Sequence, residues 1–296
     1  MSFTDFKAAL KATADEVNQA LKEYLPQGKP EILHESMAYS VYAGGKRLRP
    51  VLTLWTAELL GGDKKHVMPI ACALELIHTY SLIHDDLPCM DDDDLRRGKP
   101  TNHVVYGEAI ALLAGDALLT RAFEVMAKAV ENGADSHRLL KVIGEIGEAA
   151  GSKGMVGGQV VDILSEGKKI DLETLKYIHA HKTGALFRAS IRSGAIMSGA
   201  SSEDLARLTE FAEYLGLAFQ ITDDILDVVG DETKLGKPVG SDESHAKATY
   251  PALVGLEEAR RLAQESVNRA KEALAPYKEK AERFNQLLDF ILTRES

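Results

Sequence analysis

Residues 66–100 constrain the fold more than any other stretch. Residues 66–87 are apolar nearly all round a helix, so this helix has no face to give to water and belongs at the centre of the molecule. Pro69 is tolerated in its first turn, and Pro88 ends it. Beyond Leu82 the character inverts. Asp85, Asp86 and Asp91 to Asp94 place six aspartates within ten residues, and Arg96 and Arg97 follow. Two like charges about 4 Å apart cost ~1 kcal/mol even in water, and more near a protein surface. A charge run is usually a solvated face, but this one is anchored on a helix that must be buried. Hard divalent cations held by the carboxylates answer both facts, and such cations commonly share their oxygen ligands with substrate phosphates. The loop after Pro88 is expected to fold back toward Asp85. His78 lies seven residues before Asp85, on the same helical face.

The remaining chain reads as helix throughout. Phe6, Leu10, Ala14, Val17, Leu21 and Leu25 recur at helical spacing. Further helices are expected over 31–43, 50–60, 104–130 (interrupted at Gly115-Asp116), 136–150, 172–199 behind an Asp171 N-cap, 201–229, 250–275 and 279–293. The glycines of 151–158 read as a kink or a close helix packing. Gly184, in mid-helix, suggests a bend or a backbone approached by a ligand, since Gly there costs ~1 kcal/mol against Ala. No period-2 alternation, linker or internal repeat interrupts this pattern. The expectation is all-α: one domain, 1–296, a single large bundle of roughly ten or more helices.

Two further groups complete the chemistry. Gly44-Gly45-Lys46-Arg47-Leu48-Arg49-Pro50 joins glycines to three cations, which is either a basic loop or a phosphate site. Gln220, Asp223 and Asp227 fall at i, i+3 and i+7 on one face, and carboxylates at i and i+4 can clamp one cation. A net charge of −10 argues against nucleic acid as a partner. Without a P-loop or a GxGxxG, nucleotides are not expected. Cys72 and Cys89 form no CxxC pair, so neither a disulfide framework nor a zinc site is suggested. The N-terminal residues show no secretory pattern and no run of 18 apolar residues occurs, so a cytoplasmic setting without membrane insertion is expected.

With both acidic clusters in view, the chain resembles the trans-isoprenyl diphosphate synthases, and among them the bacterial farnesyl diphosphate synthases. The matching motifs are GGKRLRP (44–50), HTYSLIHDDLPCMDDDDLRRGKPT (78–101), GMVGGQVVD (154–162), HKTGAL (181–186) and FQITDDILDVVGD (219–231), with weaker matches at LGK (235–237) and KATYPALVGL (247–256). They occur in family order over most of the chain. One departure is Ala246, where the family pattern has Gly.

The resemblance implies an isoprenoid synthase-like bundle around a central cavity, and a homodimer. It also implies roles. Asp85 and Asp91, supported by Asp86, would hold two Mg²⁺ on an allylic diphosphate; Asp223, with Asp227 and Asp224, would hold a third, Mn²⁺ being an alternative occupant. Arg96, Lys182 and Lys237 would contact that diphosphate. Lys46, Arg49, His78 and Arg97 would bind isopentenyl diphosphate, and Thr183 and Gln220 would line the reacting carbons. The implied reaction condenses dimethylallyl and then geranyl diphosphate with isopentenyl diphosphate. An aromatic Tyr80 with the insertion Pro88-Cys89 marks the bacterial farnesyl type, so the product expected is C15. Geranyl or geranylgeranyl diphosphate synthases are the near alternatives. A non-catalytic regulatory subunit would be expected to have lost one acidic cluster.

Overall fold

The computed structural model describes residues 3–25, 27–229 and 248–293. Among them the chain runs α1 (Phe3–Tyr24), α2 (Glu31–Tyr42), α3 (Leu48–Leu59), α4 (Lys64–Asp85), a two-residue hairpin β1 (Leu95–Arg96) and β2 (Lys99–Pro100), then α5 (Asn102–Tyr106), α6 (Glu108–Glu131), α7 (Ser136–Ala150), α8 (Met155–Ser165) and α9 (Leu172–Ile178). A π-helical turn, His179–Gly184, leads into α10 (Ala185–Met197) and α11 (Ser202–Val229). The chain closes with α12 (Tyr250–Val254), α13 (Leu256–Leu274), a 3₁₀ stretch (Ala275–Ala281) and α14 (Glu282–Thr293). The all-α expectation holds.

The bundle is built around α4. Ile70, Ala71, Cys72, Leu74, Leu76 and Ile77 are buried on every side of it, covered by α3, α6, α1 and α10. By length and composition α4 could cross a membrane, but its apolar faces are spent on these neighbours. It starts two residues earlier than expected, capped by Asp63, whose side chain accepts from the Lys65 N–H at 2.8 Å. Pro69 therefore sits in the second turn, where it has no N–H for the Lys65 carbonyl. That carbonyl accepts from the Asn132 side chain at 3.0 Å instead. A second apolar cluster joins α3, α10, α11, α13 and α14 through Trp55, Phe187, Phe211 and Phe284.

Several expected boundaries move for local reasons. The stretch 104–130 breaks at Gly107 and 250–275 at Gly255, where φ of +82° and +83° suits glycine and starts a new helix. Gly115 and Asp116 do not interrupt α6, which passes through both. The helix expected over 172–199 changes to π geometry at 179–184, a turn that ends on Gly184. The close packing expected of the 151–158 glycines is met at Gly158, where a Cβ would stand 2.3 Å from the Lys182 backbone nitrogen. α8 and the π turn thus touch backbone to backbone.

Candidate active site

The acidic loop folds back onto the end of α4. The Asp91 N–H donates to the Asp85 carbonyl at 2.8 Å, and the Asp92 N–H to that of Leu87 at 3.2 Å. Both Asp85 and Asp91 are thereby held at the mouth of the bundle. Burial lifts the Asp85 carboxyl against the pull of the Lys182 ammonium, Asp91 adds to the rise, and the result is about 6. Asp86 is buried and bound to Arg96, whose Nε lies 2.7 and 3.0 Å from its two oxygens and whose Nη2 lies 2.5 Å from one. The Asp85 and Asp86 environments differ accordingly: Asp86 has a guanidinium fork, and Asp85 faces a cavity. Asp92 to Asp94, for which the sequence offered no role, shape the loop. The Asp93 carbonyl accepts from His103 Nε2 at 3.1 Å, the Asp94 carbonyl accepts from the Thr101 N–H at 2.9 Å, and Asp93 Oδ2 is 3.6 Å from Arg96.

Beside this lies a crowd of cations. Arg47 is buried and structural: it bonds Glu75 at 2.6 Å, Asn18 at 2.8 Å and the Val41 carbonyl at 2.5 Å. Arg49 lies over the Phe187 ring, 4.7 Å from its centroid. Burial pushes the Arg49 guanidinium down to about 10, with Glu75 opposing and Arg97 adding to the fall. Burial likewise lowers Arg97, which donates to the Gly44 carbonyl. His78 is held well below the ordinary imidazole range by burial, then by Arg49, Arg97, Arg96 and Arg47. At pH 7 it is neutral. Cations that depress one another in this way favour an anion bound among them.

Beside Asp85, Arg49 and His78 opens a cavity of about 480 Å³. Arg49, His78, Asp85, Gln159, Lys182 and Thr183 are among its polar lining; Tyr80, Leu87, Leu112, Met155, Val160 and Ile163 are among its apolar walls. The π turn carries Lys182 and Thr183 into it, a common use of such turns at functional sites. Lys182 Nζ is 2.6 Å from Asp162 Oδ2 on α8. Gln159, one turn earlier, is 9% exposed, and neither its amide oxygen nor its nitrogen has a hydrogen-bond partner. Buried amides left so are rare unless a ligand meets them.

Of the residues singled out in the sequence, Arg49, His78, Tyr80, Asp85, Lys182 and Thr183 line one cavity. Gln220, Asp223 and Asp227 lie near the end of α11, which packs on the π turn, and are not in the cavity's described lining. Asp224 turns toward α12: one of its oxygens accepts from the Tyr250 N–H at 2.9 Å, and the other is 3.8 Å from His179. Lys237 and Ala246 lie outside the described residues. Lys46 is exposed on the loop before α3. The sequence shows Gln159 and Asp162 three apart after the 151–158 glycines but gave neither a role, and it gave none to His84; Gly158, directly before Gln159, is the glycine that packs on Lys182.

No three carboxylates, imidazoles or thiols among the described residues are already gathered around one point. The donors nevertheless fit a hard cation, because Asp85 is a desolvated carboxylate beside a second one, Asp91. Mg²⁺ needs only one or two protein carboxylates and completes its shell with phosphate and water. The polyprenyl synthetase family model matches residues 30–291.

The chain belongs to the polyprenyl synthetase family.

A farnesyl diphosphate synthase of Geobacillus stearothermophilus is 54% identical over 81% of this chain and 81% of that one. A chloroplastic geranylgeranyl pyrophosphate synthase of Catharanthus roseus is 49% identical over 99% of this chain and 82% of its own. The crystal structure of an FPP/GFPP synthase from Zymomonas mobilis, without ligands, superposes with a TM-score of 0.88 at 36% identity, covering 99% of this chain and 100% of that one. This polyprenyl synthetase is therefore a prenyltransferase of the trans-prenyl synthase kind, acting on isoprenoid diphosphates, and Mg²⁺ dependence comes with the family.

Proposed function

We propose that the protein is a farnesyl diphosphate synthase, adding isopentenyl diphosphate first to dimethylallyl and then to geranyl diphosphate. One observation carries this reading. The cavity has Asp85, Lys182, Arg49 and His78 among its polar groups, and Tyr80 in its wall. Tyr80 precedes Asp85 by five residues, a rise of ~7.5 Å along α4, and an aromatic ring at that depth limits how far a growing chain can extend.

In this reading Asp85 and Asp91, with Asp86 behind Arg96, bind two Mg²⁺, and Asp223 with Asp227 binds a third. Bound Mg²⁺ would neutralise the charge that builds on departing diphosphate. Arg96, Lys182 and Lys237 add positive charge at the same group. Lys46, Arg49 and Arg97, with neutral His78, hold the diphosphate of isopentenyl diphosphate, which relieves the repulsion among the cations. Thr183, Gln220 and the unpaired amide of Gln159 offer dipoles to the allylic cation. The π turn sets Lys182 and Thr183 so that the two substrates meet end to end. The released diphosphate accepts the proton lost as the new double bond forms, so no side-chain base is needed.

A second reading, geranylgeranyl diphosphate synthesis, is favoured by the geranylgeranyl name borne by the Catharanthus relative at 49% identity. Incubating the purified chain with Mg²⁺, dimethylallyl and isopentenyl diphosphates and separating the products decides between them. A dominant C15 alcohol after dephosphorylation supports the first, and a dominant C20 replaces it with the second.

A homodimer in the cytoplasm belongs to the same proposal. Leu113 and Phe123 on α6 and Leu164 on α8, outside the cavity lining, are exposed at 40 to 61%, apolar side chains suited to a second copy. Cys89 is an exposed free thiol, in keeping with a reducing setting. Sedimentation equilibrium giving monomer alone would remove the dimer.

A further inference from the structure

His84 stands next to Asp85, yet its side chain is committed elsewhere. Its Nε2 is 3.0 Å from the Leu112 carbonyl of α6, and a carbonyl can only accept, so Nε2 carries the proton. Asp116 Oδ1 lies 3.9 Å from the same nitrogen. One turn back on α4, the Tyr80 ring meets the His84 ring edge-on, with centroids 5.6 Å apart and planes at 78°. The imidazole fits α6 only because residue 115 is glycine: a Cβ there would stand 2.1 Å from Nε2, 2.4 Å from Cδ2 and 3.0 Å from Cε1. Gly115 is thus a notch in α6, and His84 is what fills it. Both Tyr80 and His84 line the cavity.

We propose that His84 is a positioning residue for product length, keyed into the Gly115 notch and holding the Tyr80 ring across the path of the growing chain. The stop is then a pair of rings tied to α6, rather than one tyrosine on α4. This rests on the reading of Tyr80 given above. Without the imidazole, the Tyr80 ring loses its edge contact and gains the space His84 occupied, so it can swing aside. With a methyl in the notch, the imidazole is driven off α6 toward Tyr80 and the cavity. The two changes act in opposite directions on one length.

The test uses the full chain with Mg²⁺, dimethylallyl and isopentenyl diphosphates, and reads product carbon number beside kcat and the KM for isopentenyl diphosphate. His84→Ala is expected to raise the share of product one C5 unit longer about tenfold, the order of discrimination available to a small change in an apolar pocket. Gly115→Ala is expected to shift product one unit shorter. The double variant should follow His84→Ala, because the methyl acts only through the ring it displaces. KM for isopentenyl diphosphate should stay close to the parent's in all three. Unchanged length in both single variants, while Tyr80→Ala lengthens product, overturns the role of His84 alone. Unchanged length in Tyr80→Ala as well overturns the reading of Tyr80 on which it rests. A Gly115→Ala effect that persists without His84 also overturns it. So does loss of turnover in both single variants with helicity intact, since His84 would then serve Asp85. If His84→Ala does not fold, Gly115→Ala alone carries the test, and unchanged length there counts against the proposal.

Discussion

The Asp91 backbone N–H donates to the Asp85 carbonyl at 2.8 Å, which turns the acidic loop back on itself and sets two carboxylates side by side. The consequence is electrostatic. Burial, with Asp91 adding to it, holds Asp85 up to about 6, above its unfolded value near 3.9. Folding therefore disfavours the ionised form. The metal-free protein keeps its full stability below the unfolded value and loses at most ~3 kcal/mol of it as pH rises through about 6. Mg²⁺ binds the ionised form and restores what was lost. The rise in Tm on adding Mg²⁺ with diphosphate should be small at pH 5 and full above pH 7, and Asp85→Asn should flatten the profile. An equal rise at both pH values in the parent would contradict the assignment of Asp85.

Arg47 and Glu75 are both nearly inaccessible and 2.6 Å apart. Removing one leaves the other charge buried without its partner, a loss of about 3–5 kcal/mol. Arg47→Met should accordingly lower the urea midpoint sharply. Arg47→Met with Glu75→Leu should recover most of the loss, because an apolar pair of similar size replaces the ion pair. A double variant as unstable as the single one would mean that Asn18 and Val41, not Glu75, hold Arg47 in place.

Local patterns were legible in the sequence, and long-range fits were not. The apolar circumference of α4 required burial, and Pro88 before the aspartates required a returning loop. Asp171 was readable as an N-cap, and its side chain accepts from the Thr174 N–H at 2.8 Å. Arg47 and Arg49 are alike in residue type; the family resemblance named Arg49 alone for the site, and the fold supplies the physical reason, pointing one at Glu75 and the other over Phe187. Gly115 reads as a helix interruption because the reason for it, the His84 ring, comes from another helix. The π turn leaves Gly184 as its trace, since one added residue shifts the helical register by ~100° but a turn confined to 179–184 is too short for that shift to show as a pattern.

Gly45 faces the guanidinium of Arg97, and a Cβ there would stand 2.6 to 2.7 Å from its carbon and terminal nitrogens. Gly45→Ala should displace Arg97 from the cation group around His78. The cost falls on isopentenyl diphosphate: its KM should rise about tenfold, the equivalent of ~1.4 kcal/mol, with kcat changed far less. Steady-state kinetics with geranyl diphosphate saturating measures this. A fall in kcat at constant KM would place Arg97 with the allylic diphosphate instead.

Tyr80 is 7% exposed and lies one helical turn below the end of α4 that carries Asp85. Burial, then the Asp85 charge, raises its phenol above the ordinary range, so it stays neutral and acts through its bulk. Truncating an aromatic in a packed wall opens space that the surroundings refill only in part. Here the space adjoins a cavity lined by Leu112, Val160 and Ile163, all apolar and able to take another isoprene unit. Tyr80→Ala should therefore shift the main product to C20 or longer while diphosphate release continues at a comparable rate, because the groups that ionise the substrate are untouched. Tyr80→Phe removes only the hydroxyl and should leave product length as it was. Chromatography of the dephosphorylated products reads both. A C15 product from Tyr80→Ala would move the stop to another wall of the cavity, with Leu112 and Val160 the next residues to truncate.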